Sequence, residues 1–111
     1  MPDPLEAAYA VESAIEDAIR ILRERRATPG TSLADLQDIN VRLAQLEADR
    51  ALVRAKITAN IAQNAALPAP SDQAVAQIRQ NAAQLDAITA RNLTTRAVLN
   101  LAEAALQIWS T

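Results

Sequence analysis

Apolar side chains recur along this chain at steps of three and four, the period of one helix face. The first series runs Leu5, Ala8, Val11, Ile15, Ala18, Ile19, Leu22. Asp3 can cap it, Pro4 suits the first helical position and Glu6 the third. Together these predict a first helix over about residues 4–27. Thr28-Pro29-Gly30 ends it, because a residue preceding proline avoids the helical region.

Ser32 opens a second series, with Asp35 three residues on as a variant of the capping box. Leu36, Ile39, Leu43, Leu46, Val53 and Ile57 then follow the a/d spacing of a coiled coil, interrupted by Arg50. No breaker appears before Pro68-Ala69-Pro70, so this helix is predicted over about 33–67. At 1.5 Å per residue it would be about 50 Å long. Ser71 caps a third helix, predicted over about 72–109. Its seam is Ile78, Asn81, Leu85, Ile88, Asn92, Thr95, Leu99, Ala102, Leu106 and Trp109.

Two long helices joined by a short turn, with a shorter one beside them, predict an all-α fold. The expected architecture is an elongated up-down-up three-helix bundle with coiled-coil-like packing and crossings of about 20°. Helices 2 and 3 would form a long antiparallel hairpin within a single domain spanning 1–111. Antiparallel pairing about the proline turn would bring Asn60 near Asn81 on the seam, a polar pair able to fix register. Trp109, beside the turn after helix 1, would close that end over Leu22, Leu33 and Leu36.

Composition supports helices and thins the core. Of 111 residues, 26 are Ala, 13 Leu, 9 Ile and 5 Val, while Tyr9 and Trp109 are the only aromatics. Such a core needs close helix approach, which alanine permits. The start Met1-Pro2-Asp3-Pro4 has no basic region followed by an apolar one, and no run of about 18 apolar residues exists. The expected location is therefore cytoplasmic.

Charge is informative where it is missing. From Ile57 to Ile78 the only charged side chain is Asp72. A solvated helix surface normally carries charge on its outer face. The first helix, at about 35 Å, is too short to cover this end of a 50 Å hairpin. Length and charge thus point to one bare hairpin tip. The residues expected to bind a partner there are Ile57, Ile61, Asn64, Leu67, Val75, Ile78 and Asn81.

Catalytic chemistry finds few candidates. With no His and no Cys there is no imidazole base, no thiol nucleophile and no thiolate metal site. Gly30 is the only glycine, which excludes glycine-rich phosphate loops. Glu12, Glu16 and Asp17 read as a solvated acidic face, and Ser13, Thr94 and Thr95 have no base to activate them. No enzyme and no cofactor is expected. Arg20, Arg23, Arg25 and Arg26 suit the C-terminal end of a helix dipole better than a phosphate backbone. With a net charge of −2 and no stacking aromatics, nucleic acid is not an expected partner.

The sequence therefore predicts a non-catalytic protein–protein interaction or oligomerisation module, an adaptor or regulator. Its partner would be a second copy or a foreign helix at the charge-poor tip. The alternative is an amphipathic coat on a lipid or granule surface. It is weakened by the absence of tip aromatics and flanking lysines.

Overall fold

The computed structural model describes residues 4–63, 66–68, 70–87 and 94–110. Among them are four helices and no strand: α1 (Pro4–Arg26), α2 (Leu33–Gln63), α3 (Asp72–Ala87) and α4 (Thr95–Ser110). The first helix and the starts of the second and third fall where the sequence predicts, while α2 ends at Gln63, short of the expected 67, and residues 66–68 are not helical. The long third helix does not form as one piece.

Local chemistry explains the starts. Ser32 Oγ accepts the Asp35 amide and Ser71 Oγ accepts the Ala74 amide, each at 3.2 Å. Thr94 does the same for α4, accepting the Ala97 amide at 3.1 Å while its carbonyl takes the Val98 amide at 3.1 Å. These are N-caps. α1 ends in a turn where Thr31 Oγ1 donates to the carbonyls of Thr28 (2.9 Å) and Arg25 (3.0 Å). Gly30 adopts φ +89°, a backbone region that favours glycine.

Side-chain pairs set the directions. Arg23 meets Glu47 at 2.6 Å and Arg54 meets Glu12 at 3.6 Å, so α2 runs antiparallel to α1. The ion pair Glu6–Arg79 and the proximity of Asp17 to Asp86 place α3 parallel to α1. Arg25 donates to Thr95 Oγ1 at 3.4 Å, and at the far end of α4 the Lys56 ammonium lies 5.1 Å over the Trp109 ring. α4 therefore descends, and the order is up-down-up-down. The molecule measures 47 × 25 × 18 Å.

Three expectations are corrected here. The bundle has four helices, because α4 turns back against α1 and α3. That reversal gives the stripe Val98, Leu99, Ala102, Ala105 and Trp109 two helices to bury against. Second, the long hairpin of helices 2 and 3 is not the backbone of the fold. α1 is: it packs along all three other helices, whereas α2 packs along α1 and touches α3 and α4 little. Ala7, Ala8, Ala14 and Ala18 of α1 are fully buried, and their small side chains let neighbours approach from several sides. Third, Trp109 closes the opposite end of the bundle from the one expected, since α4 carries it down beside Lys56.

Candidate interaction surface

The predicted tip is mostly interior. Ile57, Val75, Ile78 and Asn81 are buried, and Leu67 is half-buried against the core. Ile61 stands 61% exposed, and Asn64 lies outside the described residues. α4 packs on α3 at this end, and α1 packs on α2. Ile108 of α4 lines one groove with Ser71, Ala74 and Gln77, and Trp109 lies beneath Lys56. Burial accounts for only part of the sparse charge, since more than half of the described residues from 57 to 78 are exposed. Asn81, the one buried polar side chain among the described residues, accepts a hydrogen bond from Gln77 Nε2 at 3.1 Å. Asn60 is half-buried on α2.

A different surface carries the unsatisfied apolar area. Of the five large hydrophobic side chains exposed among the described residues, four lie on α2: Val41 (66%) and Leu52 (52%) on its outward side, Leu33 (72%) in its first turn, and Ile61 below buried Ile57. The fifth is Tyr9, at the edge of α1. At 100° per residue, the α2 side chains turned away from its buried stripe are Ala34, Gln37, Val41, Ala44, Gln45, Ala48, Leu52, Ala55, Ala59, Ala62 and Gln63. All are exposed except half-buried Ala59, and none is charged.

Ordinary amphipathic order is inverted on this helix. A surface helix puts charge outward, furthest from the core. α2 keeps its eight charges on its flanks and inner side. One flank ties to α1 through Glu47–Arg23, Arg54–Glu12 and Asn40–Arg26, the last at 3.2 Å. The other faces α4, where Asp49 stands near Glu103 and Lys56 covers Trp109. Burial, then Glu103, pushes the Asp49 carboxyl above the ordinary 3.8. The outward face of α3 is also uncharged, but it holds only Gln73, Ala76, Gln77, Gln80, Ala83, Gln84 and Ala87. It offers no large apolar side chain.

The remaining polar clusters are absorbed internally. Arg20 pairs with Asp17 (3.7 Å) and Glu24 (3.5 Å), and Arg23, Arg25 and Arg26 reach α2 or α4. Asp17 is raised above 3.8 by burial first and by Asp86 next, against the pull of Arg20. Among the described residues no three His, Cys, Asp or Glu side chains stand together as metal ligands would. No described helix is long and apolar enough to cross a membrane.

Sequence reasoning passed over the α2 face because it followed the inward stripe. The signal was legible: the outward positions of residues 34–63 contain no charged residue. Comparison with protein-family models, curated proteins and solved structures gives no match for this chain.

Proposed function

We propose that this protein is a non-catalytic protein–protein interaction module that binds through the outward face of α2. The observation that supports this is the run of exposed, uncharged side chains along the whole helix, with Val41 and Leu52 near its centre. Contiguous exposed apolar surface on a small protein marks a place where something docks. Helix α2 spans about 46 Å by its 31 residues, close to the full 47 Å of the molecule. Such a face suits a partner helix laid along it, held by apolar contact with mixed charge at the rims.

The test is site-specific photo-crosslinking in the native cell. A photoreactive residue replaces Val41 or Leu52, with Gln84 on α3 as the control. A discrete adduct from both α2 positions and none from Gln84 is the expected result. Equal, diffuse labelling at all three positions refutes the reading.

A further inference from the structure

The same α2 face is complementary to itself, and we propose that its partner is a second copy of this chain. The two α2 helices would pair antiparallel about a two-fold axis at Ala48. This inference rests on the interaction reading above and names the occupant of that surface.

Size complementarity is the first support. Nine of the eleven outward positions, 34, 37, 41, 44, 48, 52, 55, 59 and 62, are symmetric about 48, with Gln45 and Gln63 at the edge of the strip. An antiparallel two-fold there sets Val41 against Ala55 of the other copy and Leu52 against Ala44. It sets Gln37 against Ala59, and Ala48 meets itself. No large side chain falls opposite another large one. Each knob faces a hole, and the alanines permit an interaxial distance near 8 Å.

Charge gives the second support. Asp38 and Lys56 are 18 residues, five full turns, apart on the α2 flank toward α4; both are exposed, Asp38 beside Arg42 at 3.6 Å and Lys56 over the Trp109 ring. In an antiparallel pair each flank meets its own copy. Lys56 then comes within about 3 Å along the axis of Asp38 on the other copy, twice per dimer. On the opposite flank Glu47 approaches its own copy, but each Glu47 is already held by Arg23 at 2.6 Å.

The buried area sets the expected strength. A strip about 46 Å long and about 10 Å wide removes roughly 900 Å² from water over both copies. Stable interfaces bury about 1,200–2,000 Å², so the dimer belongs in the weak, micromolar class.

The chain has no cysteine, so introduced cysteines report the geometry alone. Wild-type mass is measured by light scattering after size exclusion from about 1 to 500 μM. Ala48→Cys, Ala34→Cys, Ala62→Cys and the α3 control Gln80→Cys are oxidised mildly, singly and mixed. Expected are a mass rising toward the dimer and disulfide formation by Ala48→Cys at least about tenfold faster than by Ala34→Cys, Ala62→Cys or the control. The mixture of Ala34→Cys with Ala62→Cys should cross-link where neither does alone. Lys56→Asp and Asp38→Lys should each weaken the dimer by up to about tenfold, and their combination should restore it. A monomer at every concentration, with Ala48→Cys no faster than the control, overturns the proposal. Ala34→Cys cross-linking as fast as Ala48→Cys overturns the antiparallel arrangement. If the photo-adducts at Val41 and Leu52 have a mass other than twice the chain, the docking face survives and the self-pairing fails.

Discussion

Ile57 and Ile61 sit one turn apart on α2 and read alike in the sequence, yet tertiary packing makes them opposites. Ile57 is fully buried and Ile61 is mostly exposed. Replacing Ile57 by Ala removes three carbons from a packed site between helices. Such a change costs about 2–5 kcal/mol. At about 4 °C per kcal/mol for a chain of this size, the melting temperature should fall by roughly 8–20 °C. The same change at Ile61 removes side chain that is already in water. Complete burial of isoleucine is worth about 1.5–3 kcal/mol, so the exposed site loses well under about 1 kcal/mol. The better helix propensity of Ala returns a few tenths of that. The Ile61→Ala melting temperature should therefore stay within about 2 °C of wild type. The assay is thermal unfolding followed by circular dichroism at 222 nm, with wild type and both variants at one matched low concentration. Equal losses at the two positions would show that the packed core does not end between them. That result would refute the burial argued here for Ile57.

Thr94→Ala should cost about 1 kcal/mol in a urea titration by removing the cap of α4, while Thr94→Ser should be near neutral. Gly30→Ala should destabilise by about 1–2 kcal/mol through its positive φ alone, since an added Cβ meets nothing within 4 Å. For Asp17, the folded state holds the carboxyl above its ordinary 3.8, so its contribution is full below that value and is lost as pH rises through the raised one. Asp17→Asn should therefore melt higher than wild type at pH 7, with the difference vanishing below pH 3.8 in parallel melts. A variant that melts lower at pH 7 would show that the Arg20 pair outweighs burial and Asp86.

What the sequence by itself determined is what short-range chemistry controls. The starts at Ser32 and Ser71, the stop at Pro29-Gly30 and the helical period all act within a few residues, and the structure has them in place. Thr94 is equally local, but its capping competes with continuing a helix through a seam that Asn92 and Thr95 already interrupt. Residues 88–93, Ile88 and Asn92 among them, lie outside the described residues. Local propensity leaves that contest open, and burial of the α4 stripe against α1 and α3 decides it. Only tertiary structure could do the same for the candidate site. A helical period shows that a face is apolar without showing what covers it. Ile57 and Ile78 proved to be core, while Ile61 and more than half of the described residues from 57 to 78 stand exposed. The uncharged outer positions of α2 remained surface because α2 packs mainly along α1. Burial depends on the arrangement of all four helices, and no window of residues along the chain contains it.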